Sequence, residues 1–464
     1  MHPFATYVLR SYYKATGWNE DNLYANLTRS SNAVLDFTVP RGLHLSISKS
    51  PNSLFQTTYS MNALPSLNGS VGYIFTSCDL DIKNSKNVHF KDVVDRFKVY
   101  DQPRRPSPRD GVFLAGERVD ARDYLLYGRL YVPTGRLDAL YSTRLSPTLQ
   151  TLVAAISDPR ADLKQSQSTR TASSPSNIMF SLQHDTGRWC TEYTYSAEDS
   201  MLGVRMLHNF GKLAPSGSAM SVDESERSTT SRGTMKMKRI DEEEAMEGGL
   251  KGRISAGAEI YFSAKEKSAG VSTGIRFTTF PDMMTTPTRP PPEQESAAHP
   301  SLSSSSSSST SLPSSFALSE PPTTITALFN PMMGHMSGAY TARVSRDLSL
   351  STRFDFNVYS YESEWTMGAE WWLRRSRSKP IDDTSDDDGR SDLPSSSLFS
   401  EAPMSLHDVT GVVKARASTS NDVALLWEGR LKNVLVGLGI ASNLSSGAKP
   451  IKSFGLELSY FSSG

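Results

Sequence analysis

Nowhere does this chain carry the ~18 consecutive apolar residues that a membrane-spanning helix needs. Its best apolar run, residues 434–441, is interrupted by Gly437 and Gly439. A helical membrane protein is therefore excluded. A membrane β-barrel is not, because half of its strand residues face a polar interior and keep mean hydropathy low. Charge of one sign is also missing: 49 Lys and Arg balance 49 Asp and Glu, so no overall field draws nucleic acid to the surface. With only two cysteines, Cys78 and Cys190, the chain lacks the disulfide density of a small secreted scaffold. The opening ten residues show no basic lead, apolar core or small-residue cleavage site, so secretion is not expected. A barrel of this kind belongs in an organelle supplied from the cytosol.

Catalytic and metal-binding patterns are equally scarce. The eight histidines have no ligand spacing with one another or with cysteine, which argues against a zinc site. Asp185-Thr186-Gly187 matches half of an aspartic-protease dyad, but there is no second triplet to share the proton, and Asp and Gly between two alternating stretches read as a hairpin turn. Gly437-Leu438-Gly439 lies within a strand pattern rather than between a strand and a helix, so it is no phosphate loop. The carboxylates from Asp382 to Gly389 lack the spacing of a calcium loop. No enzyme, cofactor or metal is expected, and no catalytic residue is assigned.

What the sequence does contain is alternation. Residues 3–16 first read as a short amphipathic helix, with Phe4, Val8, Tyr12 and Ala15 on one face and Gly17 as its stop; a surface helix and a helix inside a barrel fit this pattern equally. From Ala33 onward the period becomes two. About twenty candidate strands follow, beginning with Leu35, Phe37 and Val39, then a hairpin through Pro40-Arg41-Gly42 to Leu43, Leu45 and Ile47. Thr324 to Phe329 is the weakest of them. Each has the ~10-residue length of a membrane barrel strand. The last places Phe454, Leu456, Leu458 and Tyr460 on one face and Ser453, Gly455, Glu457 and Ser459 on the other, with little after it. That strand has the spacing polar, any, Gly, any, any, hydrophobic, any, hydrophobic.

Four stretches interrupt the series, at 77–122, 213–249, 281–322 and 375–406. The last three are rich in Ser, Pro or acidic residues and have the composition of disorder. All four follow even-numbered strands on this count and so leave from one side, the side of the C-terminus. None of the four is expected to contribute to a core.

Several blocks, in order, resemble the fungal mitochondrial distribution and morphology protein 10 family. They are Pro3-Phe4-Ala5-Thr6-Tyr7-Val8-Leu9-Arg10, Leu35-Asp36-Phe37-Thr38-Val39-Pro40 and Leu43-His44-Leu45-Ser46-Ile47-Ser48, then Tyr127-Gly128-Arg129-Leu130-Tyr131-Val132-Pro133, Arg144-Leu145-Ser146-Pro147, Gly368-Ala369-Glu370-Trp371-Trp372-Leu373 and the terminal strand. The resemblance implies an all-β fold, a nineteen-stranded transmembrane barrel similar to the voltage-dependent anion channel. Residues 1–30 would form a helical segment in its lumen, and residues 31–464 the barrel with the four insertions. One candidate strand is then surplus, with Thr324 to Phe329 the first choice.

The resemblance further implies a non-enzymatic protein of the mitochondrial outer membrane with two roles. One is to anchor the ER–mitochondria encounter structure, a tether that supports lipid exchange. The other is late assembly of the general import pore within the sorting and assembly machinery. Implied partners are the other subunits of both complexes, including the machinery's own barrel, small import-complex subunits and membrane lipids, but no nucleic acid. The terminal strand would be the insertion signal, with Ser453 as the polar position, Gly455 as the glycine, and Leu458 and Tyr460 as the hydrophobic pair. A porin-like metabolite channel is the alternative.

Overall fold

The computed structural model describes residues 3–100, 103–106, 112–114, 117–119, 122–159, 176–211, 252–279, 322–374, 409–445 and 450–463. Nineteen strands form one closed sheet. They are β1 (Gly42–Ser50), β2 (Phe55–Leu64), β3 (Asn68–Thr76), β4 (Tyr124–Val132), β5 (Leu137–Ser146) and β6 (Leu149–Ser157). Next come β7 (Asn177–Asp185), β8 (Trp189–Ser196), β9 (Met201–Asn209), β10 (Gly252–Ser263), β11 (Ser268–Thr279) and β12 (Thr323–Asn330). The remainder are β13 (His335–Arg343), β14 (Leu348–Asn357), β15 (Ser363–Arg374), β16 (Val409–Ser418), β17 (Asp422–Leu431), β18 (Val434–Asn443) and β19 (Ile451–Ser463). A small ladder of Val112–Leu114 with Glu117–Val119 pairs only with itself.

Consecutive strands pair antiparallel, and the sheet closes where β1 meets β19 in parallel, with Gly42 opposite Gly455 and Ile47 opposite Tyr460. An up-and-down chain with an odd number of strands leaves its first and last running the same way, so one parallel seam is unavoidable. Closure removes both sheet edges, which hydrocarbon could not hydrate.

The two faces of the wall are inverted relative to a soluble protein. Ile47, Tyr73, Leu130, Phe180, Ile260, Phe354 and Trp371 point outward and are exposed, while Ser48, Gln56, Ser142, Gln183, Glu370 and Lys414 point inward and are buried. Water would penalise that outer face by about 25 cal/mol for each Å² of apolar surface. Lipid does not, so the alternation read from the sequence belongs to a membrane-spanning wall.

The surplus strand is the first, not the weak one. Thr323–Asn330 is a full strand, paired with β11 and β13. Its buried inward threonines, Thr324 and Thr326, blunt the contrast between its faces. By contrast, the alternating Leu35, Phe37 and Val39 make no ladder. Arg29–Leu35 is a short helix, α2, and the extended residues after it lie against the inside of the wall, where Phe37 packs on Ala424 and Leu426. Their alternation is real, but its apolar face meets protein instead of lipid.

Because the extra strand preceded all the others, parity shifts for all four interruptions together. They follow β3, β9, β11 and β15, and so still leave from the rim where β19 ends. The connection between β6 and β7, residues 158–176, is also long but leaves from the opposite rim. Of the four, those at 213–249 and 375–406, and 281–322 up to Pro322, lie outside the described residues. The first contradicts the expectation that it adds nothing to a core: residues 78–100 fold back into the lumen, burying Leu80, Ile82, Val88, Phe90, Val94, Phe97 and Tyr100.

Candidate functional site

The lumen is where the structure concentrates its specific contacts. Helix α1 (Pro3–Thr16) ends in a Schellman arrangement, with Trp18 N–H donating to Tyr13 O (2.9 Å) and Gly17 in the left-handed region at φ 71°, a conformation that favours glycine. Its apolar face, Phe4, Tyr7, Val8 and Tyr12, packs on Ile74, Leu125, Trp372, Val412, Leu435 and Phe461 of the inner wall. The Phe4 and Phe461 rings lie 4.9 Å apart, and Tyr7 stacks parallel to Phe461 at 6.5 Å. The helix is therefore lumenal.

Residues 78–100, the strap, close over α1 and tie it to the wall. Asn84 accepts from the Ser463 hydroxyl (2.6 Å), Ser85 N–H donates to Phe461 O (3.1 Å), and Arg430 donates to Lys86 O (2.8 Å). A short helix, α3 (Phe90–Val93), sets Phe90 edge-on to Trp372. Further along, Phe97 N–H donates to the fully buried Glu370 (3.1 Å), whose other oxygen accepts from the Trp372 indole (2.7 Å). Tyr100 donates to Asn26 O (2.7 Å), and Lys98 pairs with Asp21 (2.6 Å). Arg10 of α1 pairs with Asp95.

Electrostatics follow this packing. Burial would raise Asp95, but Arg10, with Lys414 and Arg29 behind it, holds its carboxyl below the usual range. Burial, reinforced by Glu20, pushes Tyr13 up to about 12, with the nearby Gln150 and Ser142 side chains acting the other way. Between α1 and the strap remains a cavity of about 780 Å³ lined by charged groups, among them Arg10, Lys14, Lys83, Lys91, Asp92 and Arg96.

Beyond α1 the chain runs along the inner wall toward β1. Asn22 donates to Asp185 (2.8 Å) and accepts from Asn209 (2.6 Å). The Asp185-Thr186-Gly187 triplet is thus a hairpin turn that also docks this segment, with Gly187 N–H on the same carboxylate oxygen (2.6 Å). The last turn of α2 leaves carbonyls without helical partners. Lys414 donates to Ala33 O (2.9 Å) and Arg416 to Leu35 O (2.8 Å), cations at the helix end where the dipole favours them. Where the segment crosses β18 and β19 it presses on backbone. A Cβ on Gly439 would meet Val39 at 2.8 Å, and one on Gly455 would meet Pro40 O at 2.5 Å.

The four residues of the terminal pattern fall on both sides of β19. Leu458 and Tyr460 face outward beside Leu45 and Ile47 of β1, whereas Ser453 and Gly455 face the lumen beside Ala441 and Gly439 of β18. They lie along the seam and do not converge on one point. Phe461, which the spacing omits, is the β19 residue buried deepest against the plug. The strap was the main region missed, although its recurring Leu80, Ile82, Phe90, Val94, Phe97 and Tyr100 distinguish it from the Ser- and Pro-rich stretches. Cys78 and Cys190 are both buried and unpaired with each other. Among the described residues, no three His, Cys, Asp or Glu side chains gather to hold a metal.

Comparison with known proteins follows the same outline. A family profile described as mitochondrial distribution and morphology protein 10 matches residues 1–405 and 394–463. Relatives bearing that name include those of Postia placenta, 69% identical over 479 residues, and Laccaria bicolor, 67% over 463. A third, from Coprinopsis cinerea, is 66% identical over 468 residues. Each comparison covers 100% of this chain and 100% of the relative.

Proposed function

The chain belongs to the mitochondrial distribution and morphology protein 10 family, and from that premise we propose that it anchors the ER–mitochondria encounter structure and serves late in barrel assembly. It is a non-enzymatic barrel of the mitochondrial outer membrane with a part in mitochondrial distribution and morphology. In our reading its partners are the other subunits of the tether and those of the sorting and assembly machinery, with that machinery's barrel, small import subunits and lipids among them.

The observation that carries this reading over a metabolite channel is the filled lumen. A pore uses its interior for passage; here α1 and the strap occupy it with buried aromatic side chains. That leaves the rims and the outer wall for binding, which needs no chemistry. Affinity purification of tagged protein from mild-detergent mitochondrial extracts tests it. We expect both sets of subunits by mass spectrometry; recovery of the protein alone would overturn the reading.

We also assign the insertion signal to Ser453, Gly455, Leu458 and Tyr460. A precursor with Gly455, Leu458 and Tyr460 replaced together is expected to reach mitochondria and remain extractable by alkaline carbonate. Normal insertion of that precursor would refute the assignment.

A further inference from the structure

Not every cation at the lumen mouth has an acidic partner. Lys91 and Arg96 on the strap, Arg343 at the end of β13 and Arg374 at the end of β15 gather on one side of the plug, near enough that the last three lower Lys91, after burial itself. Among the described residues no carboxylate sits at ion-pair distance from Lys91, Arg96 or Arg343, while Arg374 pairs with Asp347. Of the other carboxylates nearby, Glu370 is fully buried, with both oxygens taken by Phe97 N–H and the Trp372 indole, Asp95 pairs with Arg10, and Asp92, which also lines the cavity, is at ion-pair distance from none of the four cations.

Aromatic rings hold two of these cations without neutralising them. The Lys91 ammonium stands 5.6 Å from the Trp372 ring centre and the Arg343 guanidinium 5.5 Å from that of Phe97, cation–π distances. Arg96 is tethered through its Nε to Lys91 O (3.2 Å), which leaves its terminal nitrogens for another acceptor. Lys91 and Arg96 both line the cavity of about 780 Å³. Like charges crowded in a partly desolvated site cost free energy that an anion recovers. Guanidinium forks beside an ammonium suit phosphate oxygens, which accept several charge-assisted bonds at once.

We propose that Lys91, Arg96, Arg343 and Arg374 form a binding site for a phosphate-bearing anion at the lumen mouth. The site faces the lumen, with the wall between it and hydrocarbon, so its ligand is a soluble phosphate compound rather than a lipid headgroup.

Full-length protein in phosphatidylcholine nanodiscs, titrated calorimetrically with inorganic pyrophosphate, provides the test. Saturable binding that weakens with added salt is expected, reduced about tenfold or more in a Lys91→Gln/Arg96→Gln double variant. Arg374→Gln, whose charge is already shared with Asp347, loses less. A second arm places phosphatidic acid in the nanodisc without pyrophosphate and counts retained lipid by native mass spectrometry. Lipid retained by the unaltered protein and lost by the double variant, with no pyrophosphate binding, would overturn the soluble source and keep the phosphate chemistry. Binding of neither ligand, or equal binding by a double variant that keeps its heat-modifiable barrel, would overturn the site.

Discussion

Two stretches of the same chain line the lumen in opposite ways. At the rim where β19 ends, α1 and the strap fill space with large side chains, Phe4, Tyr12 and Phe90 interleaving with Trp372 and Phe461. Near the opposite rim, residues 36–41 lie so close to the wall that only glycine fits beneath Pro40 and Val39. The first region is held by side-chain volume, the second by backbone approach. A packed interface loses stability in proportion to the atoms removed, whereas a close crossing fails on the smallest addition.

The largest expected effect comes from removing the volume altogether. Replacing residues 79–99 with a Gly-Ser linker should convert a barrel silent in planar bilayers into one with large, stable conductance steps. Silence in both would show that the strap does not plug the lumen, and large steps from the unaltered protein would restore the channel reading. Next, Phe461→Ala takes a ring from between Phe4 and Tyr7 and should cost about 3–5 kcal/mol. Urea unfolding in lipid vesicles measures this, and a loss below ~1 kcal/mol would place the ring outside the load of the plug.

Gly455→Ala tests the crossing. One methyl group placed 2.5 Å from Pro40 O should cost about 1–3 kcal/mol. Gly437→Ala, on the same inner face but with its nearest neighbour at 3.6 Å, should be close to neutral. Equal effects at the two glycines would remove the distinction between the regions. Because Gly455 is needed by the folded crossing as well as proposed for the signal, import of precursor and stability of inserted barrel have to be scored separately.

The smallest effect is electrostatic. Asp95 is held below its ordinary range by Arg10, after burial, which acts the other way. A depressed carboxyl contributes stability that is present above its unfolded value, about 3.9, and is lost as pH falls through the folded one. Protease sensitivity of the strap should therefore rise below about pH 4. Asp95→Asn should flatten that dependence; an unchanged profile would dismiss the Arg10 pair as its source.

Legibility differed between wall and filling for a physical reason. The wall repeats every two residues because one side meets lipid and the other the lumen, so even a weak case such as Thr323–Asn330 left a trace. The strap has no such period. Its partners are remote, Phe97 with Glu370 and Asn84 with Ser463, and its apolar residues stand in a stretch whose Pro- and Arg-rich run reads as an insertion. Leu35, Phe37 and Val39 show the converse error, since alternation records that a segment has two unlike sides but not what lies on the apolar one.

By itself the sequence therefore determined the quantities that local chemistry repeats: strand period, outward apolar face and a common rim for the four interruptions. Tertiary structure alone decided which apolar stretch meets lipid and which meets the lumen, why Gly455 must lack a side chain, and which cations stay without a carboxylate. Those outcomes depend on groups brought together by closure of the β1–β19 seam, and separations of hundreds of residues leave no imprint on local pattern.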